Sequence, residues 1–249
     1  MNVLLTPGLS PRAWLARPAC APETPEPACR RDQPTDPLRT NWGYGARENL
    51  FNNQIAQAVT GWPAGEPVLD PRLFKALVAV ESAFDPTAVS PTGAAGLVQL
   101  TPATATAHGL KLRPVDERKI PARALPVGVA VLHEKHRVIT NPNPNTPYGA
   151  KVADAYQRLG LPTGDDLWHL DLAAYNGGGG TVLRAMARAC DDGVDPRKWS
   201  NLIAPVDNPR QSPLYHAVKE IFGEARALRK YREMAHYPGR ILALRDRPA

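Results

Sequence analysis

Apolar positions from about residue 41 onward recur at spacings of three and four, and no alternating run lasts more than a few residues, so the pattern predicts a mainly α protein. Glu48 to Val59 reads as a helix with Leu50, Ile55 and Val59 inward, ended by Gly61-Trp62-Pro63. Asp70-Pro71 opens a second, because Asp is a good N-cap and Pro suits the first helical position. Leu73, Phe74, Leu77, Val78 and Val80 make that helix dense enough to be buried, and Phe84-Asp85-Pro86 should end it. Thr101-Pro102 repeats the start signal for a short helix stopped by Gly109. Further helices are expected over Pro126–Val138 (Val127, Val131 and Leu132 inward), Ala150–Leu159, Asp165–Tyr175 (Leu167, Leu170 and Ala174 inward) and Val182–Ala189. An Asn/Pro loop, 141–147, and four glycines, Gly177 to Gly180, separate them. One amphipathic segment, Pro213 to Ala235, carries Leu214, Val218, Ile221, Phe222 and Leu228.

Ahead of this pattern, residues 1 to about 40 hold eight of the 27 prolines and no apolar period, which predicts a disordered or extended leader. The expected organisation is a Pro-rich leader (1–40), a helical domain (41–240) and a tail (241–249). With 30 Lys+Arg against 24 Asp+Glu the chain is basic, which suits polyanionic surroundings. There is no dense cationic stripe with interleaved aromatics and no zinc-finger spacing, so nucleic acid is not an expected partner. Cys20, Cys29 and Cys190 are too scattered for a metal site or a disulfide framework, leaving one bridge, Cys20 to Cys29, open. No apolar run approaches the roughly 18 residues of a membrane span. The N-terminus lacks the basic region of a secretory signal, and Arg17-Pro18-Ala19-Cys20 is a poor lipoprotein cleavage site.

The most suspicious side chain is Glu81, four residues after Leu77 and eight after Leu73, and so on the face of two buried leucines. A carboxyl group desolvated there gains pKa and can donate a proton near neutrality. A glycine-containing stretch follows, Ser90-Pro91-Thr92-Gly93-Ala94-Ala95-Gly96-Leu97-Val98-Gln99, then Pro102, Thr104 and Ala105. Its glycines permit close backbone approach to a ligand, and Gln99 offers both a donor and an acceptor to a neutral polar one. A third block, Ala173-Ala174-Tyr175-Asn176-Gly177, sets a phenol and an amide at a helix end. Other groups read blandly. Asp85 before Pro86 is a turn residue, Asp165, Asp166 and Asp171 suit helix starts, and His133-Glu134-Lys135-His136, without a third ligand, is a solvated helix face rather than a metal site.

In this order, Glu81-Ser82 with Phe84 and Pro86, Ser90 to Gln99 with the Pro-x-Thr-Ala that follows, and Ala-Tyr-Asn-x-Gly resemble the catalytic domain of the soluble lytic transglycosylases, which is goose-lysozyme-like. The resemblance runs from about Leu73 to Gly109 and again from Asp171 to Val182, with weaker similarity at Val127-Gly128 and Leu132. It implies a mainly α lysozyme-superfamily domain with a saccharide cleft. Glu81 resembles the family's catalytic acid, Ser90 and Gln99 its sugar-holding residues, Tyr175 the supporting tyrosine, and Asn176 that tyrosine's neighbour. Val98 replaces the usual Met, and Gly178 departs from the usual turn after the Asn. The family's fourth block, a Pro followed by a Glu-Thr pair and a Tyr, is not evident, Pro213-Leu214-Tyr215 being only a candidate.

The implied activity is cleavage of the β-1,4 bond between N-acetylmuramic acid and N-acetylglucosamine in peptidoglycan strands, giving 1,6-anhydro-N-acetylmuramic acid. Glu81 would serve as acid and then base, with neither metal nor cofactor. The rivals are a goose-type lysozyme-like hydrolase of the same bond and a noncatalytic wall-binding protein. A cell-envelope or periplasmic site of action without a usual export signal implies delivery by a specialised secretion system or phage lysis machinery, or a misassigned start.

Overall fold

A computed structural model describes residues 36–205 and 207–248. The expected leader and Cys20 and Cys29 lie almost wholly outside these residues. Where the two overlap the boundary shifts: Leu38 and Thr40 are buried, so folded structure begins ahead of Asn41.

Ten α-helices and three single 3-10 turns make up the described residues, which hold no strand beyond isolated bridges at Val89–Ala95 and Ala95–Leu100. The helices are α1 (Asn52–Val59), α2 (Pro71–Ser82), α3 (Pro102–Ala107), α4 (Pro121–Thr140) and α5 (Pro147–Leu159). They continue with α6 (Gly164–Gly177), α7 (Gly179–Asp191), α8 (Trp199–Ile203), α9 (Pro213–Phe222) and α10 (Glu224–Arg245). Start signals act as expected: the Asp70 side chain accepts from the Arg72 amide and Thr101 from that of Thr104, with Pro in the first turn of each helix.

Two apolar clusters form the core. One gathers α1, α2, the 97–110 segment, the first half of α4 and the end of α10. The other gathers α5, α7, α8, α9 and the start of α10. Only α6 and α10 feed both substantially, Trp168 and Leu172 facing the first and Leu170 and Ala174 the second. The seam between the clusters is therefore built on these two helices.

Several sequence expectations give way. Leu50 is 68 % exposed, because the chain makes a 3-10 turn at Gly45–Arg47 and α1 begins only at Asn52. α4 starts five residues before Pro126, which sits inside it on an exposed face. The four glycines break the chain at one residue, Gly178, and α7 begins at the next. The single C-terminal segment is two helices divided at Gly223, with Ile221 exposed. The expected tail is helical to Arg245, and Ile241, Leu242 and Leu244 are buried.

The reading of His133 to His136 as a solvated face fails at His136, which is buried on Asp171 (Nδ1 to Oδ2 2.7 Å) with Glu66 on its other nitrogen (2.9 Å). Asp171 lies in the middle of α6 with no exposure, not at a helix start. These groups pin the α1–α2 connection to α4 and α6. Burial pushes the His136 pKa down, but the hydrogen bond and charge of Asp171, with Glu66, outweigh it and the net shift is upward.

A buried cation closes the N-terminal edge. Lys75 in α2 donates to the carbonyl of Leu38 (2.6 Å), Thr40 Oγ1 (2.6 Å) and Asn49 Oδ1 (2.8 Å), and lies over the Trp42 ring. At the other end, Arg72 donates to the carbonyls of Arg245 and Arg247.

Candidate active site

Glu81 occupies the last turn of α2, with Leu77 and Leu73 buried one and two turns back on its face. The chain then turns sharply through Ala83 (φ 50°) and Phe84 (φ 61°), both left-handed and neither glycine. Such residues cost roughly 1–2 kcal/mol each and persist only where surroundings impose them. Here Phe84 is fully buried and Ser82 Oγ donates to the carbonyls of Val78 (3.1 Å) and Leu97 (3.0 Å), tying the helix end to the following loop. Gln99, φ 46°, is the third non-glycine residue of this kind, and it borders the same site.

That loop, 85–101, is folded by its own backbone. Ala95 and Leu100 exchange both amide–carbonyl bonds, and Gly96 N–H donates to the Ala88 carbonyl. Arg118, itself buried, braces it from behind with bonds to the carbonyls of Gly93 (2.8 Å) and Leu100 (3.1 Å). Gly96 is required there, since its φ is +83° and a Cβ would stand 1.8 Å from the Arg118 carbonyl oxygen. Ser90 and Gln99 hold the loop: Ser90 Oγ accepts from the Ala94 amide, and Gln99 Nε2 donates to the carbonyls of Gly96 and Ala88. Asp85 is a turn residue, accepting from Thr87 and paired with Arg47.

From the other wall, the Tyr175 hydroxyl donates to the Val98 carbonyl at 2.8 Å rather than to Glu81. Its pKa is raised by burial first and by the Glu81 charge second. Asn176 is clamped by α10: its Nδ2 donates to Glu233 Oε1 (3.0 Å), and Lys230 Nζ donates to its Oδ1 (3.1 Å) and backbone oxygen (3.2 Å). α6 ends directly on α10, since a Cβ on Gly177 would meet Met234 Cε at 2.1 Å.

Sequence reasoning missed the nearest partner of Glu81. Tyr237 in α10 is buried and donates its hydroxyl to Glu81 Oε1 at 2.5 Å. Glu233, one turn earlier, acts on Glu81 through space, as do Lys230 and Arg240. Glu233 and Tyr237 thus bring a carboxylate and a phenol from α10 to Glu81. The candidate Tyr215 is elsewhere, donating to Glu224 and packed on Tyr231. The usable signal was Tyr237-Pro238, an unusual pair inside an amphipathic helix.

Burial is the largest influence on Glu81 and pushes its pKa from 4.5 to about 7. The Tyr237 hydrogen bond opposes this, the Glu233 charge adds to it, and Lys230 and Arg240 oppose it. Its position at the negative end of α2 works with burial. The side chain keeps an edge toward solvent, so the acid is enclosed yet reachable. Glu81 can therefore hold a proton near neutrality and take it back after giving it up.

A mainly α, lysozyme-like domain with one enclosed acid at a helix end defines the class of protein. The family model for the transglycosylase SLT domain matches residues 63–194, and the chain belongs to that family. Tyr237, Glu233 and Lys230 lie beyond the matched residues. Among similar curated proteins is the membrane-bound lytic murein transglycosylase F of Klebsiella pneumoniae, 30% identical over 66% of this chain and 27% of that protein. The protein of the same name from Desulfosudis oleivorans is 33% identical over 71% of this chain and 32% of its own length. Membrane-bound lytic murein transglycosylase F 2 of Alkalilimnicola ehrlichii is 29% identical over 77% and 34%. The chain thus spans about a quarter to a third of the length of these relatives. Among the described residues no helix is long and apolar enough to cross a membrane.

Proposed function

We propose that the chain is a peptidoglycan lytic transglycosylase, cleaving the bond between N-acetylmuramic acid and N-acetylglucosamine with formation of 1,6-anhydro-N-acetylmuramic acid. The observation that carries this reading is the enclosed Glu81 with its pKa near 7, hydrogen-bonded by Tyr237. Tyr237 engages Oε1, leaving Oε2 to carry the proton. Protonated Glu81 gives it to the glycosidic oxygen, and the resulting carboxylate removes the proton of the C6 hydroxyl as that oxygen closes on the anomeric carbon. Most glycosidases need a second carboxylate as nucleophile or base. In this reading the sugar's own acetamido and C6 hydroxyl groups replace it. Ser90 and Gln99 shape the loop wall of the cleft, Tyr175 backs Glu81, and Asn176 faces the sugar from a position fixed by Lys230 and Glu233.

One observation favours the rival hydrolase: Glu233 is a second carboxylate close enough to act on Glu81. Against it, Glu233 is already engaged by Lys230 and Asn176, which leaves it ill placed to activate water. Digestion of purified sacculi by the wild type and by Glu81→Gln separates the readings. Anhydro-ended products from the wild type alone support the transglycosylase, reducing-ended products the hydrolase, and binding without release by either protein a noncatalytic wall binder. The proposed site of action is the cell envelope, reached through a secretion system or a phage lysis route, and fractionation of the producing cell under secreting or lytic conditions tests it.

A further inference from the structure

Ahead of the residues that the family model matches, the segment 36–51 forms a collar against the turn that follows Glu81. Its shape is set by Glu48, a buried carboxylate that accepts the backbone amides of Trp42 (2.6 Å), Gly43 (3.1 Å) and Tyr44 (3.0 Å). Three amides converging on one carboxylate curl the chain, and the left-handed glycines that flank Tyr44, Gly43 (φ 94°) and Gly45 (φ 69°), permit the curl. Tyr44 is fixed between them. Its ring meets that of Phe84 edge to face, with centroids 5.5 Å apart and planes at 84°. Lys75, which ties the collar to α2, lies 5.8 Å from the centre of the same Phe84 ring.

Phe84 is where such support matters most. It and Ala83 take left-handed backbone immediately after α2, a conformation that non-glycine residues keep only where their surroundings impose it. A second link from the collar, Arg47 to Asp85 at 2.9 Å, leaves the arginine 56 % exposed and contributes little. The Tyr44 ring is therefore the effective contact. We propose that Tyr44 is a positioning residue for Glu81: by seating Phe84 it holds the turn that fixes the end of α2, and with it the place of the carboxyl group. The proposal rests on the reading of Glu81 as the glycan-cleaving acid. Displacing a reacting group by about 1 Å can cost about a hundredfold in rate, so a residue need not touch the substrate to set kcat.

The test compares Tyr44→Leu, Tyr44→Phe and Arg47→Ala in the full chain. Leu fills much of the space of the ring and guards against simple failure to fold, whereas Phe keeps the ring edge and loses only the hydroxyl. In release of sugars from purified sacculi, Tyr44→Leu should lower kcat about tenfold or more with KM little changed, while Tyr44→Phe and Arg47→Ala stay near wild type. A second arm needs no catalysis. Each protein is paired with its Glu81→Gln counterpart, and the stability difference within the pair is measured by urea unfolding at pH 5 and pH 8. A turn loosened by Tyr44→Leu admits water to Glu81, so the difference should widen with pH by half or less of the wild-type amount, and Tyr44→Phe should restore it. A kcat or a pH dependence in Tyr44→Leu that matches wild type makes the collar merely structural and overturns the proposal, whatever the loss of stability. If no protein releases sugar, the reading of Glu81 fails, and the unfolding arm still decides whether Tyr44 sets its surroundings.

Discussion

Replacing Glu81 with Gln should make the protein more stable, and by an amount that depends on pH. A carboxyl group whose pKa is raised from 4.5 to about 7 on folding binds more protons folded than unfolded, so stability declines as pH rises through that window. At 1.36 kcal/mol per pH unit the full effect is about 3 kcal/mol, of which about 2.5 kcal/mol falls between pH 5 and pH 8. Gln keeps an oxygen to accept the Tyr237 hydroxyl and carries no charge to desolvate. The stability difference between Glu81→Gln and wild type should therefore widen by about 2.5 kcal/mol from pH 5 to pH 8. Urea unfolding at both pH values measures this, and comparing variant with wild type cancels the other titrating groups. An equal difference at the two pH values would refute the account of Glu81 as an enclosed acid.

Tyr237→Phe removes a donor that favours the charged form of Glu81, so the alkaline limb of the pH–activity profile should move to higher pH while kcat falls; a profile shifted to lower pH would contradict it. Lys75→Met removes three hydrogen bonds, to Leu38, Thr40 and Asn49, of which Asn49 Oδ1 keeps other donors, and should cost about 2–4 kcal/mol, with limited proteolysis opening first near residues 36–49. Gly96→Ala must strain φ and drive a Cβ into the Arg118 carbonyl, so about 3 kcal/mol or more should be lost on thermal unfolding, and activity with it.

The enclosure of Glu81 was legible in the sequence because its signal is local: two leucines at helical spacing and a cap-plus-proline start fix α2 and the face on which Glu81 lies. The same holds for Tyr175 and Asn176, which share one helix end. Tyr237 was hidden because it meets Glu81 across 156 residues, and only packing of α10 on α2 creates that contact. His136 was misread for a related reason. Its neighbours in sequence are polar, and the groups that bury it, Glu66 and Asp171, come from other elements. Gly223 escaped because an apolar period continues across it, although the backbone there turns to φ 79°. Periodicity sees faces of single helices, and the seam between two apolar clusters is a property of pairs.

The contact between Glu81 and Tyr237 also governs when, during synthesis, the surroundings of the acid can be completed. A ribosome adding about 5–20 residues per second needs about 8 to 30 s to travel the 156 residues from one to the other. Throughout that interval the acid exists without its hydrogen-bond donor, and without the Lys230 clamp on Asn176. A chain that stops short of α10 thus lacks both the Tyr237 donor and the Lys230 clamp, and the two arrive in one late step when that helix docks.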